Sequence, residues 1–284
     1  MRLYKYHGLG NDFIILEDFP CKLIDQYRKL AIKLCNRRLG VGADGLVLIN
    51  KIVDNNEHVF HLRNFNADGT ESKICGNAVL CTAKHLFDHD YINDSSFSVL
   101  TKSGKKFVNL HVREGQVRTI TVNMGLPYWY PEQIPVISEK NIILVEPFIV
   151  NQRQFILSCV SMGNPHAVCI LEDDEYEQLE LEYWGPLLEK HERFPEYTNV
   201  EFINIIAPNA IKMKVWERGV GITPACGTGA CASAVVAHKL GIAAEQIKVL
   251  FTNGTLQIRI KADGILMTGT ANRVFVGMLK LGRN

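Results

Sequence analysis

The stretch ITPACGTGACASA, residues 222–234, places Cys226 directly before Gly-Thr-Gly and a run of small helix formers. A related stretch, SKICGNAVLCTA, occupies residues 72–83 and places Cys75 directly before Gly-Asn. In both stretches the cysteine lies where a strand and a turn lead into a predicted helix. The two stretches therefore predict two helices that each begin directly after a cysteine.

Other landmarks also occur twice, in the same order and at nearly constant spacing. Each pair of landmarks is separated by 151 to 153 residues. The pairs are Cys75 with Cys226, Gly-Asn at 10–11 with Gly-Asn at 163–164, and the segment ending at Thr70 with the segment ending at Thr223. A long internal repeat of this kind predicts two structurally similar halves, although few residues are identical between them.

Hydrophobic periodicity gives each half an α+β pattern. Strands are predicted at 13–17, 46–51, 58–64 and 107–113, and then at 155–161, 200–206, 212–217 and 256–260. Helices are predicted at 23–36, 75–87, 175–191 and 227–240. Residues 123–135, rich in proline and aromatic residues, are typical of a connection between the halves, and a last strand near 274–279 fits either half.

Composition excludes several classes of protein. The 284 residues are 47% hydrophobic and carry a formal net charge of +1. The sequence has no basic stripe, which argues against a protein that binds nucleic acid or a membrane surface. The N-terminus lacks the apolar region of a signal peptide, and no apolar run is long enough to span a membrane. The eight cysteines are then expected to be reduced in a cytoplasm, with Cys21, Cys35, Cys159 and Cys169 as small buried residues.

A cysteine at a helix N-terminus is suited to proton transfer. The first N–H groups of a helix lack internal partners, and the helix dipole places partial positive charge there. A thiol at this position ionises more readily, and the amides of residues 76–77 and 227–228 form a site for a carboxylate. Two such sites facing each other would hold an amino acid with one sulfur on each side of its α-carbon. One thiolate would then remove the α-proton while the opposite thiol supplies another, without a metal or pyridoxal cofactor.

The chain resembles the diaminopimelate epimerase family along essentially its whole length. Six motifs carry the resemblance: HGLGNDFI at 7–14, RRLGVGADGL at 37–46, NFNADGTESKICGNAVLC at 64–81, SMGNPHAV at 161–168, TNVEFI at 198–203 and WERGVGITPACGTGACA at 216–232. The resemblance implies cofactor-independent interconversion of LL- and meso-2,6-diaminopimelate, in lysine and peptidoglycan precursor synthesis.

The resemblance also implies roles for individual residues. Cys75 and Cys226 match the paired proton donor and acceptor, and His166 and Glu217 match residues that support catalysis. The matching substrate-binding residues are Asn11, Asn66, Gly76, Asn77, Asn164, Asn199, Glu217, Arg218, Gly227 and Thr228. Two positions depart from a common family pattern: Ile222 replaces a glutamate and Gly45 replaces a glutamine.

The implied fold is α+β, with two pseudo-symmetric halves that each wrap a curled mixed sheet around a central helix. Residues 1–119 with 272–284 are expected to form the first half and residues 120–271 the second, with the active site in the cleft between them. The resemblance further implies that the protein is a homodimer. It implies that the protein acts on a small-molecule substrate, diaminopimelate, and binds no nucleic acid, membrane, metal or cofactor.

Three other functions are compatible with parts of the pattern. A related racemase, acting on proline or hydroxyproline, would keep the fold but fits the motifs around Asn66 and Arg218 less well. A redox protein could join Cys75 to Cys226, yet neither cysteine belongs to a C-x-x-C motif. A zinc site would add Cys81 and Cys231, but its ligand spacings are wider than those of usual zinc motifs. A non-catalytic binding module has no feature in its favour.

Overall fold

The computed structural model of the protein describes residues 1–54 and 57–279. The strands are β1 Arg2–Gly8, β2 Asn11–Glu17, β3 Gly45–Asp54, β4 Glu57–Asn66, β5 Glu71–Ser72, β6 Ser96–Thr101, β7 Gly104–Arg113, β8 Gln116–Asn123, β9 Glu146–Val150, β10 Arg153–Ser161, β11 Pro165–Ile170, β12 Asn199–Ala207, β13 Ala210–Glu217, β14 Gly221–Ile222, β15 Gln246–Phe251, β16 Gly254–Lys261, β17 Gly264–Gly269 and β18 Asn272–Met278. The helices are α1 Tyr27–Cys35, α2 Gly76–Asp88, α3 Asp173–Glu177, α4 Leu181–Glu189 and α5 Gly227–Lys239.

The chain divides into two compact units. Unit 1 comprises Met1–Asn123 and Thr268–Asn284, and unit 2 comprises Met124–Met267. These boundaries lie four residues from the expected ones at 119/120 and 271/272. The last strand, β18, belongs to unit 1, where it pairs antiparallel with β1.

Unit 1 is a mixed sheet curled around α2. The strands pair in the order β18, β1, β2, β3, β4, β6, β7 and β8, and β2–β3 and β4–β6 are the parallel pairs. Helix α2 contacts β18 and β1 at one end of this order and β7 and β8 at the other, so the sheet has to curl. Helix α1 packs on β3 and β4. Because β2 and β3 lie between helices, their residues form unbroken apolar runs, as expected for parallel strands buried on both faces.

Unit 2 repeats this topology. Its strands pair in the order β9, β10, β11, β12, β13, β15 and β16, and β11–β12 and β13–β15 are the parallel pairs. Helix α5 contacts β10 through β13, β15 and β16. It is buried from Gly227 to Ala237 on all sides, which explains its small and apolar residues. A core of sixteen buried residues, including Phe148, Phe155 and Phe202, lies outside this helix, against α3 and α4.

One predicted helix is two helices in the structure. The segment predicted as a helix at 175–191 breaks after α3 and resumes at α4. Leu179 and Leu181 both pack against the same buried core of unit 2. Residues two positions apart point in different directions on a continuous helix, so this packing requires the break. The sequence prediction also missed nine strands, which are β1, β5, β6, β8, β9, β11, β14, β15 and β17.

The cysteine predictions are mostly correct. Cys35, Cys159 and Cys169 are buried, whereas Cys21 is only partly buried because it lies in a turn with a left-handed φ of 54°. Cys81 and Cys231 are fully buried in α2 and α5. Over the residues that the structure describes, no helix is long and apolar enough to cross a membrane.

Candidate active site

Both cysteines that the repeat singles out are N-cap residues. Cys75 precedes α2 with φ −137° and ψ 113°, and Cys226 precedes α5 with φ −119° and ψ 115°. Each helix begins with a glycine and runs for thirteen residues. The first amides of both helices, including those of Gly76, Asn77, Gly227 and Thr228, therefore lie next to a thiol, at the end where the dipole favours an anion. Each unit thus carries one N-cap cysteine, and the residues around this cysteine are called the half-site of that unit.

The half-site of unit 1 joins Cys75 to two asparagines. The Cys75 sulfur lies 4.0 Å from Asn11 Oδ1, and Asn77 Nδ2 donates to the same oxygen at 3.2 Å. Asn11 follows Gly10, whose φ of 90° forms the tight turn between β1 and β2. A pocket beside this half-site is lined by Cys75, Ile74, Lys73, Ser72 and Asn64, among others. Three of the predicted site residues of unit 1 are therefore in contact.

A charged network fixes the Asn11 amide. Asn11 Nδ2 donates to Asp44 Oδ2 at 2.8 Å, which turns its oxygen toward Cys75. Arg37 binds both Asp44 and Asp12 at 2.7 Å, and Lys5 binds Asp12 at 2.5 Å. Burial alone would raise the pKa of Asp12, but its hydrogen bonds from Arg37 and Lys5 outweigh burial and lower the pKa to about 2. Asp12 is therefore ionised at neutral pH.

Asn66 lies apart from these contacts. It ends β4, where its Nδ2 donates to Thr70 Oγ1 at 3.0 Å and its backbone N–H donates to the Thr70 carbonyl. Asp68 in turn accepts from the Thr70 hydroxyl at 2.6 Å. The described contacts of the Asn66 side chain hold the turn before β5.

The half-site of unit 2 surrounds the Cys226 sulfur with donors. The Gly229 N–H donates to this sulfur at 3.4 Å, and Thr228 Oγ1 lies 3.5 Å from it. Thr228 is also bonded to Asn164, whose Nδ2 donates to Thr228 Oγ1 at 3.3 Å. Asn164 follows Gly163, and the Gly163 φ of 94° repeats the Gly10 turn. Asn11 and Asn164 thus occupy equivalent turns in the two units.

The chain of contacts continues from Asn164 to a buried carboxylate. His166 Nε2 lies 3.0 Å from Asn164 Oδ1, and His166 Nδ1 lies 2.7 Å from Glu201 Oε1. His166 is on β11 and Glu201 is on the adjacent parallel strand β12. Both residues are fully buried.

Asn199 and Arg218 form a second cluster of unit 2. Asn199 Nδ2 donates to the Pro165 carbonyl at 2.6 Å, and Asn199 Oδ1 accepts from the Arg218 backbone N–H at 3.0 Å. The Arg218 guanidinium donates to the Glu196 carbonyl at 3.0 Å. Asn199 thereby ties the turn at the start of β11 to the end of β13.

Glu217 ends β13 and accepts a hydrogen bond from the Thr223 hydroxyl. Ile222 lies between them on β14 and is half exposed, so its apolar side chain leaves this bond intact. The predicted residues of unit 2 therefore form two groups. One group is the series of contacts that runs from Cys226 through Thr228 and Asn164 to His166, and the other is the cluster at the end of β13.

The surroundings of Cys226 favour its thiol form. Burial, followed by the negative charges of Glu217 and Glu201, raises the pKa of the Cys226 thiol well above its usual range. The hydrogen bonds from Thr228 and Gly229 act in the opposite direction and are outweighed. In this form the Cys226 thiol carries a proton that it can donate.

The sequence prediction missed Asp44, Gly229, Thr223 and Glu201. One of them had a signal in the sequence: Glu201 is the single charged residue in the apolar run NVEFINII of β12. Within residues 1–54 and 57–279, no group of three or more histidine, cysteine or acidic side chains is arranged to hold a metal ion.

The sequence matches known proteins over its whole length. It is 41% identical over 283 residues to a diaminopimelate epimerase from Desulfitobacterium hafniense, covering 98% of each chain. It is 40% identical over 283 residues to a diaminopimelate epimerase from Acetivibrio thermocellus, covering 99% of each chain. A protein of the same name from Methanococcus maripaludis is 40% identical over 285 residues, which covers 99% of this chain and 100% of the relative.

Solved structures share the fold at low sequence identity. A probable proline racemase from Agrobacterium radiobacter superposes with a TM-score of 0.72 at 14% identity, covering 99% of this chain and 93% of that one. A phenazine biosynthesis protein from Bacillus anthracis superposes with a TM-score of 0.70 at 14% identity, covering 99% of each chain. The sequence model described as diaminopimelate epimerase matches residues 3–130 and 158–274. With that match and relatives of about 40% identity, the chain belongs to the diaminopimelate epimerase family.

Proposed function

We propose that this protein is an isomerase that interconverts LL- and meso-2,6-diaminopimelate, in lysine and peptidoglycan precursor biosynthesis. The observation that carries the proposal is the pair of N-cap cysteines, Cys75 and Cys226, at equivalent places in two units of the same topology. The relatives' name, diaminopimelate epimerase, is the support for the substrate. The low-identity structural neighbours support the fold alone.

The proposed mechanism uses the two thiols as an acid and a base on one α-carbon. The Cys75 thiolate removes the α-proton, and the protonated Cys226 delivers a proton to the opposite side, which inverts the centre; the reverse reaction exchanges these roles. Support comes from the raised pKa of Cys226, which makes it a proton donor. Because both groups act through their own protons, the scheme requires no metal or pyridoxal cofactor.

The helix amides stabilise the charge that develops on the reacting carboxylate. In the proposal the first N–H groups of α2 and α5, at residues 76–77 and 227–228, hold this group, and they gain strength as negative charge moves onto it. Asn11, Asn66, Asn164 and Asn199 offer both donors and acceptors to the rest of the substrate. Glu217 and Arg218 bind the distal amino-acid end, where a guanidinium suits a carboxylate.

The quaternary state and compartment are part of the same proposal. We assign a homodimer, supported by β18, whose Val274, Phe275 and Val276 are 43–57% exposed in the single chain.

A cytoplasmic location is supported by the free thiols of Cys35, Cys81, Cys159, Cys169 and Cys231, which are buried without forming disulfides.

The test is turnover of LL-diaminopimelate by the purified protein in D₂O, with proline as the control substrate. We expect deuterium at the α-carbon of the inverted product, because the incoming proton comes from a thiol that has exchanged with solvent. Cys75→Ala and Cys226→Ala should each abolish epimerisation. Cys81→Ala and Cys231→Ala are matched controls, since these thiols are buried in the same two helices, and both should retain activity.

Three results would contradict the proposal, and the last of them contradicts its substrate alone. Product that carries only protium would exclude exchange through solvent-equilibrated thiols. A Cys75→Ala or Cys226→Ala variant with most of its turnover would exclude a role for both sulfurs. Turnover of proline in place of diaminopimelate would keep the mechanism and change the substrate.

A further inference from the structure

A buried acid in unit 2 has no place in the proton-transfer scheme. Glu201 and His166 are both fully buried, and Glu201 Oε1 lies 2.7 Å from His166 Nδ1. Burying a carboxylate is costly unless it is paired and hydrogen-bonded. Glu201 lies on a strand covered by α3 and α4 on one side and by α5 on the other, where an apolar residue would be expected.

The first turn of α5 lies directly against this carboxylate. A Cβ atom built on Gly229 would lie 2.6 Å from Glu201 Oε1, so only glycine allows the helix to pass so close. The N-terminal end of a helix favours an anion, which offsets part of the cost of burial. The Gly229 N–H also donates to the Cys226 sulfur. Glu201 and Cys226 therefore share the same helix turn.

The hydrogen bonds between Glu201 and Cys226 have one consistent direction. Asn164 Nδ2 can only donate, so Thr228 Oγ1 accepts from it and the Thr228 hydroxyl proton remains for the Cys226 sulfur. Asn164 Oδ1 can only accept, so His166 Nε2 carries a proton and donates to it. His166 Nδ1 then shares a proton with Glu201.

We propose that Glu201 is a positioning residue for Cys226, which anchors His166 so that Asn164 and Thr228 direct a hydroxyl proton to the sulfur. The role of Glu201 in turnover rests on the proposed epimerase function. Its effect on the Cys226 thiol depends on the hydrogen-bond chain alone.

A residue on the same strand serves as the control. Asn204 is also buried, and its Nδ2 donates to the Leu171 carbonyl at 3.1 Å and to Asp173 Oδ1 at 2.8 Å. Its strand position places it on the opposite face of β12 from Glu201. Asn204→Leu removes buried hydrogen bonds from β12 without touching the chain that leads to Cys226.

The first experiment compares Glu201→Leu with Glu201→Gln. A glutamine can still hydrogen-bond to His166 Nδ1, whereas leucine cannot, and both remove the charge. We expect Glu201→Leu to lower kcat for epimerisation roughly 10- to 100-fold with little change in KM, and Glu201→Gln to restore most of it. Asn204→Leu should lose stability but keep kcat. If Glu201→Leu does not fold, Glu201→Asp, whose carboxylate is one methylene too short to reach His166, replaces it.

A double-mutant cycle tests the route through Thr228. If Glu201 acts through Thr228, then Glu201→Leu (or Glu201→Asp) should cost little further kcat once Thr228→Val has broken the chain. Losses that multiply, equal kcat in the glutamine and leucine variants, or a wild-type kcat in Glu201→Leu would each overturn the proposal.

The second experiment does not depend on the substrate. In a Cys75→Ala background, the rate of Cys226 alkylation by iodoacetamide is measured against pH. Glutamine and leucine at position 201 remove the same charge, so a difference between them reports the hydrogen-bond chain. We expect the Cys226 thiol to react roughly three- to tenfold faster with glutamine than with leucine, because the intact chain stabilises the thiolate. The difference should vanish with Thr228→Val.

The two experiments separate the two proposals. A wild-type protein that does not epimerise diaminopimelate, with the alkylation difference present, would reject the epimerase function and leave the role of Glu201 intact. Normal epimerisation with equal alkylation rates in the glutamine and leucine variants would reject the role of Glu201 alone.

Discussion

Each unit fixes one asparagine of its half-site with a different acid. In unit 1, Asp44 binds Asn11 directly. In unit 2, Glu201 reaches Asn164 through His166. The turns that carry Asn11 and Asn164 are equivalent, but the acids come from different positions relative to the repeat. The repeat therefore preserves the asparagine near each sulfur but not the acid that holds this asparagine in place. The two thiols consequently have different surroundings.

The ion pairs of Asp12 predict an acid-dependent loss of stability. Its pKa is lowered from 3.8 to about 2 in the folded protein. A lowered carboxyl pKa stabilises the fold above the unfolded pKa, and this contribution disappears as the pH falls through the folded pKa. Asp12→Asn should therefore cost about 1–2 kcal/mol of unfolding free energy near neutral pH, and most of the difference should vanish between about pH 4 and pH 2.

Urea unfolding at several pH values measures the effect of Asp12→Asn. Exposed Asp94 provides the control, because Asp94→Asn should change the unfolding free energy little at every pH. A gap between wild type and Asp12→Asn that stays constant down to pH 2 would show that Asp12 stabilises the fold by some means other than its charge.

The sequence could predict the sulfurs and asparagines but not the residues that hold them. Cys75 and Cys226 stand in readable local motifs. Asp44 lies 33 residues from Asn11, and Glu201 lies 35 residues from His166. These partners meet only because parallel strands bring β2 beside β3 and β11 beside β12. Local periodicity cannot identify such partners, although one acid within an apolar strand was a usable signal for Glu201.

Among the elements, α4 packs closely against β13 at one glycine. Gly185 lies in α4, and a Cβ atom there would come within 2.6 Å of the Trp216 indole. The indole cannot move aside easily, because its Nε1 donates to Glu189 Oε2 at 2.7 Å. This contact presses the helix onto the strand that leads to Glu217 and Arg218.

Gly185→Ala should therefore destabilise the protein. Alanine in place of glycine inside a helix would by itself stabilise it by about 0.5–1 kcal/mol. Overpacking against Trp216 should cost about 1–3 kcal/mol and outweigh that gain. Urea unfolding measures the net effect, and Glu182→Ala, at an exposed position of the same helix, is the control. A stabilised Gly185→Ala variant would mean that α4 can move away from Trp216 at little cost.

Element prediction was most accurate for long, largely apolar runs. The bounds of β10, β12 and α5 were predicted within about two residues. The prediction of a single helix at 175–191 was wrong, because the chain breaks between α3 and α4 so that its apolar residues can pack against the core of unit 2. Local periodicity does not show that core. Strands of two residues, such as β5 and β14, carry too few residues for a period to be read.

At the scale of the whole molecule, the two units differ in chain continuity. Unit 2 is the unbroken segment Met124–Met267 and has its own apolar core. Unit 1 needs both ends of the chain, because β18 pairs with β1 from Arg2↔Met278 to His7↔Asn272. The backbone of Met1 also exchanges two hydrogen bonds with Leu279, at 2.8 and 2.7 Å. Met1 and Leu279 are therefore held together in the fold.

This difference predicts how fragments will fold. Residues 124–267 expressed alone should form a stable unit, with a cooperative urea transition and dispersed amide resonances. Residues 1–123 alone should not, because β1 would lose a whole ladder of hydrogen bonds and the cover of β18. Placing residues 268–284 ahead of Met1 in one chain should restore folding, since Met1 and Leu279 already lie within hydrogen-bond distance. A cooperatively folded 1–123 fragment would show that β18 is dispensable, and the closure of unit 1 would then have to come from α2 and the remaining strands.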